Sequence, residues 1–303
     1  MGIKTALSQI ESRCLWSETP YGRYPTKGGD GGDDALWLGL LSSVGYPTAF
    51  GMLMECQAAP GESKAGMFYR NPNRRSNDND GYVHYFSRDM AMGVLLGLSI
   101  WDVAEDTKWP HAYQWMQYID KSRPCLQKKP KWLGGGCLVR SPIYKFAPDD
   151  RSDITPSLWA LIGRVWVSNG WSQTREMKAA DGMDGDWGIL EAQNCPLGYI
   201  LHLHALEGYL KHILRQSAEY RQRMLDICFD RQPGNLFYKI LKQGVATDED
   251  VIKYLEIVDL WDGPKYNWLW LSSNIERAIY EGDACGWDLV FLGRLILKLR
   301  GEL

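Results

Sequence analysis

The chain reads as an all-α protein in which apolar helices are enclosed by charged ones, and three observations predict it. Helical periodicity runs through most of the 303 residues, while alternating strand patterns are scarce. Four segments are apolar on nearly every face and open on an acid or a hydroxyl: Asp33-Asp34-Ala35-Leu36-Trp37, Ser87-Arg88-Asp89-Met90-Ala91, Asp153-Ile154-Thr155-Pro156 and Gly286-Trp287-Asp288-Leu289. Helices of that kind belong in an interior. Between them lie charged, amphipathic segments, including Trp109 to Lys121, Gln216 to Phe229 and Asp248 to Val258, that suit an outer layer.

Taken in order, the pattern predicts helices over 2–15, 33–45, 47–58, 88–104, 108–120, 155–169, 194–215, 217–229, 235–242, 248–258, 267–280 and 286–300. Those starting near 33, 88, 155, 194, 267 and 286 form the expected inner layer of one domain spanning 1–303. Gly45 and Gly170 are placed to stop helices, Pro47 and Pro110 to sit in first turns, and Thr247-Asp248-Glu249-Asp250 to start one. Two long connections, near 60–87 and 124–153, break the rhythm. Loops of that length in a helical domain usually carry function.

Composition narrows the field. A net charge of −3 without long basic runs argues against nucleic acid as partner. Polar residues interrupt every apolar stretch, the N-terminal one included, so the expectation is no membrane partner and synthesis into the cytoplasm. The odd count of seven Cys, without paired spacing, predicts buried reduced thiols and no zinc site. Neither Asp181-Gly182-Met183-Asp184 nor Ser76-Asn77-Asp78-Asn79-Asp80 has the ligand alternation of a calcium loop; no metal and no cofactor are expected. Fourteen Trp and sixteen Tyr against seven Phe favour aromatics with a polar handle, which suit clefts.

If inner helices share an orientation, their polar starts converge on one end of the molecule, and the candidate site is there. Asp89, in a first turn beside Arg88, is expected to be ionised and to act as base. Crowding among Asp30, Asp33 and Asp34 favours a proton on Asp33 or Asp34, the expected acid. Asp153 is a third acid at an inner start. Trp37, Tyr82, His84, Tyr85, Trp268 and Trp287 are the aromatic and polar candidates for binding, with Asp30 beside them. His202, His204, Glu207 and His212 share one helix without a metal motif, and polar packing or a partly exposed face is expected of them.

Inner helices alternating with outer ones, about a dozen in all, resemble the alpha/alpha toroid found in many glycoside hydrolases and polysaccharide lyases. That resemblance is architectural. It implies an oligo- or polysaccharide substrate, most simply a bacterial surface or cell-wall glycan cleaved between paired carboxyls. In the lyase variant, Tyr85 or His84 is the base and Arg88 neutralises a uronate. Tyr85-Phe86-Ser87-Arg88-Asp89-Met90 and Gly286-Trp287-Asp288-Leu289-Val290-Phe291 are similar to segments of uncharacterised bacteriophage and prophage proteins. They imply a rival reading: a non-catalytic phage structural or glycan-binding protein, virion-associated, with virion proteins as partners.

Overall fold

The computed structural model describes residues 2–27, 33–62, 64–74, 86–100, 105–122, 125–128, 137–140, 156–168, 170–173, 188–215 and 218–303. Of these, 63% are helical. The helices are α1 (Ile3–Glu11), α2 (Asp34–Ser43), α3 (Ala49–Glu55), α4 (Arg88–Leu98), α5 (Glu105–Lys121), α6 (Pro156–Ser168), α7 (188–194), α8 (Tyr199–Ile213), α9 (Ala218–Arg231), α10 (Leu236–Gln243), α11 (Asp248–Leu260), α12 (Ile275–Tyr280) and α13 (Trp287–Arg300). Short 3-10 turns cover Pro72–Arg74 and Leu269–Leu271. Strands among the described residues form two antiparallel hairpins: β1 (Trp16–Thr19) with β2 (Gly22–Pro25), and β3 (Cys125–Lys128) with β4 (Cys137–Arg140). No described helix is long and apolar enough to cross a membrane.

The all-apolar helices are the central ones. Every residue of α2 is buried, and α4 and α13 are buried along most of their length. α2 and α4 form the tightest pair, because Gly39 and Gly93 let their backbones touch. A Cβ on Gly39 would stand 2.0 Å from the Gly93 carbonyl oxygen, and one on Gly93 only 2.3 Å from that of Ala35. Both glycines lie five positions beyond their helix starts, so the first turns of α2 and α4 emerge at the same end. α8 and α6 pack against α4, and α13 against α2. On the outside, α1 and α11 cover α13, and α9 and α10 cover α8. One apolar cluster runs through these layers from Ile3 to Leu297.

Local chemistry explains the boundaries. Thr247 and Asp250 exchange hydrogen bonds in a capping box at the start of α11. Gly45 and Gly170 take positive φ after α2 and α6. Three expectations are corrected. The helix expected over 267–280 breaks at Ser272-Ser273, and Asn274 restarts it by accepting from the Arg277 N–H at 3.2 Å. Pro110 lies inside α5, not in its first turn, because that helix begins three residues earlier than the pattern suggested. Pro47 precedes the Thr48 cap of α3. Cys14, Cys56, Cys195, Cys228 and Cys285 are buried free thiols.

Candidate functional site

The first turns of α2 and α4 open onto a cavity of about 450 Å³, lined by Lys27, Asp33, Leu36, Trp37, Arg70, Ser87, Asp89, Tyr199, Tyr266, Asn267, Trp268 and Leu271. That is within the size range of small-molecule sites. The placement of each polar group follows from local structure. Asp33 occupies the N-cap position of α2 without a side-chain capping bond; the Ala35 N–H, which has no intrahelical partner, donates to the Arg70 carbonyl at 2.8 Å, and this brings the Arg70 side chain to Asp33. Lys27 follows β2, which packs on α2. Tyr199 opens α8 after Gly198, whose φ of +92° and lack of a Cβ beside the Leu271 carbonyl oxygen allow the chain to turn there.

Asp33 divides its carboxylate between two cations: Lys27 Nζ lies 2.5 Å from Oδ2 and Arg70 Nη2 lies 3.2 Å from Oδ1. The Lys27 ammonium also faces the Tyr266 ring at 4.6 Å and the Trp37 ring at 5.4 Å. Burial alone would lower its pKa, but the Asp33 charge and hydrogen bond raise it.

Asp89 is 5% exposed. Burial, reinforced by the charge of Asp33, raises its pKa against the opposing hydrogen bond from Ser87 and the charge of Arg70. The Tyr199 hydroxyl also bonds to Asp89, and burial followed by that carboxyl's charge pushes the phenol upward. The protonation preference therefore differs from the one expected at Asp89. Arg88 does not hold it ionised; the guanidinium turns to Glu191 of α7, 3.7 Å away. Ser87 occupies the N-cap position, yet its hydroxyl donates to Asp89 instead of capping α4.

Asp34 does not line the cavity. It is wholly buried, with Thr26 Oγ1 3.3 Å from Oδ1 and a hydrogen bond to the Tyr24 hydroxyl, and burial raises its pKa well above the usual carboxylate range. It ties the β1–β2 hairpin to α2. Trp287 is likewise a core residue, its ring N–H donating to the Leu15 carbonyl at 2.8 Å and its ring edge meeting Trp16. Trp37 and Trp268 stack on one another at 4.2 Å along the cavity wall, but only 2% and 1% of each is exposed. Tyr199 and Tyr266, 41% and 52% exposed, are the open aromatic faces. Asp30, Tyr82, His84, Tyr85 and Asp153 lie outside the described residues.

On α8, His204, Glu207 and Lys211 form a row of buried polar side chains. His204 stands 3.8 Å from Glu191 and 3.7 Å from Glu207, and Lys211 Nζ lies 2.8 Å from Glu207 Oε1. Burial would raise Glu207, but Lys211 and His204 overcome it and hold its pKa near about 2. Among the described residues no group of His, Cys, Asp and Glu is arranged to hold a metal ion.

Lys27, Arg70, Tyr199 and Tyr266 were not singled out from the sequence. Tyr199 could have been found, since it begins an apolar helix as Asp34 and Arg88 do; Lys27 and Arg70 reach the site through loop geometry that leaves no periodic signal. Fold and site together define a helical protein with a polar, aromatic-walled cavity where its central helices begin. Comparison of the chain with protein-family models, curated proteins and solved structures returns no match.

Proposed function

We propose that the protein is a glycoside hydrolase acting on a bacterial surface or cell-wall glycan, with Asp89 as general acid and Asp33 as its partner base. One observation carries this reading: two carboxyls on a single open cavity sit in opposite electrostatic settings. Burial favours a proton on Asp89, while Lys27 and Arg70 provide countercharge to Asp33. Glycoside hydrolysis needs such a pair. Asp89 would give its proton to the glycosidic oxygen as the bond from the anomeric carbon breaks. Water would add to that carbon and lose its proton to Asp33. The hydrogen bonds from Ser87 and Tyr199 fix the Asp89 carboxyl, and the Tyr199 and Tyr266 rings offer apolar faces to sugar. These roles reverse the assignment expected from the sequence. Closure of the helix pairs into an alpha/alpha toroid belongs to the same proposal; the packing of α13 on both α1 and α2 supports it.

The burial of the stacked Trp37–Trp268 pair favours a second reading, a non-catalytic glycan-binding or phage structural protein with the same cavity. The two are separated by incubating the protein with peptidoglycan, lipopolysaccharide and capsular polysaccharides and assaying new reducing ends. The glycosidase reading expects release by the wild type, abolished in Asp89→Asn and reduced about a hundredfold or more in Asp33→Asn, with thermal stability of Asp89→Asn nearly unchanged. Wild-type protein inert on every glycan, or unimpaired release by Asp89→Asn, would overturn it.

A further inference from the structure

The charge on the cavity wall says more about the ligand than its shape does. Of the residues lining it, Lys27 and Arg70 are cations, and Asp33 is one carboxylate shared between them. The other acid, Asp89, is driven toward its neutral form by burial. Asp34 lies behind the wall, equally buried. Two cations thus share a single carboxylate at the cavity, while the Asp89 carboxyl is taken up by the Ser87 and Tyr199 hydroxyls. Lys27 is nearly buried, and its ammonium is confined beside Asp33, Tyr266 and Trp37. An ammonium has three donors, and an aromatic face replaces a hydrogen-bond acceptor poorly. Cations at low local dielectric attract an anion far more strongly than they would in water. Ser87 and Asn267 supply neutral hydrogen-bonding groups, and the tyrosine rings supply faces for a pyranose.

We infer that the cavity takes an acidic sugar, a uronate whose carboxylate is bound by Lys27 and Arg70, in preference to a neutral sugar. The sugar in this statement rests on the proposed glycosidase reading; the preference for negative charge does not.

Calorimetric titration of the wild-type protein with galacturonate and glucuronate oligomers, their neutral counterparts and a sulfated oligomer tests it. A uronate should bind at least about tenfold more tightly than its neutral counterpart at low salt, and the margin should shrink at high salt. Lys27→Met and Arg70→Gln, checked for folding by circular dichroism, should each erase most of the margin between uronate and neutral oligomer. Equal binding of acidic and neutral oligomers would overturn the inference and leave the glycosidase proposal standing. Tight uronate binding without cleavage would support the inference and count against the enzyme. A sulfated oligomer binding more tightly than any uronate would overturn the choice of carboxylate, and no binding by any saccharide would overturn both readings.

Discussion

Asp33, Asp34 and Asp288 all stand at the start of an apolar helix, yet their oxygens meet different partners. Asp33 faces two cations at the cavity, Asp34 is sealed beneath the β1–β2 hairpin, and Asp288 is wholly buried within the backbone. Asp288 Oδ1 accepts from the Gly286 and Leu289 N–H groups, each at 2.9 Å, and Oδ2 from Leu269 at 2.7 Å and Cys285 at 3.2 Å. Burial nevertheless pushes its pKa up to about 6. In Asp288→Asn an amide NH2 replaces one oxygen and confronts two backbone N–H groups that lose their acceptor. Each unsatisfied buried group costs about 1–3 kcal/mol, so the variant should lose at least about 2 kcal/mol in urea unfolding; a loss under about 0.5 kcal/mol would show that these bonds contribute little. The sequence showed that acids cluster at helix starts. It left Asp33 and Asp34 as alternatives, because adjacent helical positions point to different sides and only the packed hairpin decides which one reaches solvent.

The elements that the sequence made legible are those whose signal is long. Among helices of ten or more residues with unbroken apolar patterning, α2 and α13 fall close to their expected limits, whereas α4 ends at Leu98 short of the expected 104 and α8 starts at Tyr199 beyond the expected 194. The short elements did not show. β1 and β2 have four residues each, too few for a period to be distinguished from chance, and α7 is described over 188–194 only. α7 still matters at the site, because its Glu191 draws Arg88 away from Asp89. The α2–α4 contact yields a graded prediction. Gly39→Ala and Gly93→Ala each drive a methyl into the opposing backbone, whereas Gly97→Ala meets the Leu53 side-chain methyl at 2.4 Å, which can rotate aside. Overpacking against a rigid neighbour costs about 1–3 kcal/mol or more. Thermal unfolding should rank both former variants clearly below Gly97→Ala, and a reversed order would mean that the two helices have room to separate. Because Asp33 and Asp89 ride on these helices, Gly93→Ala should also weaken any ligand binding measured at the cavity.

For the molecule as a whole, buried titratable groups set the response to acid. His202 is sealed beside Phe237, and burial lowers its pKa to about 3. Below its ordinary value of 6.5 the unfolded chain takes up a proton that the folded one refuses, so this group's contribution to stability falls as pH drops from 6.5 toward 3, by about 1.4 kcal/mol per pH unit. Glu207, depressed from 4.5 to about 2, adds a second loss as pH falls through that window. Asp288 works in the other direction: its folded pKa exceeds the ordinary 3.8, so its contribution increases as pH falls from about 6 to 3.8. Urea unfolding at a series of pH values should therefore show wild type losing ground to His202→Leu between pH 6 and pH 4, by about 1.4 kcal/mol per unit; parallel curves would place the acid sensitivity elsewhere. The layered arrangement also bears on how the chain is made. α13 is apolar along most of its length and supplies the surface on which α1, α2 and α11 pack, while the Trp287 ring N–H reaches back to Leu15. On the ribosome, α1 and α2 are synthesised long before α13 and must wait with their apolar faces uncovered. Release of a chain stopped before residue 287 would leave those faces open to aggregation, so this fold gives chaperones reason to hold the nascent protein until α13 has emerged.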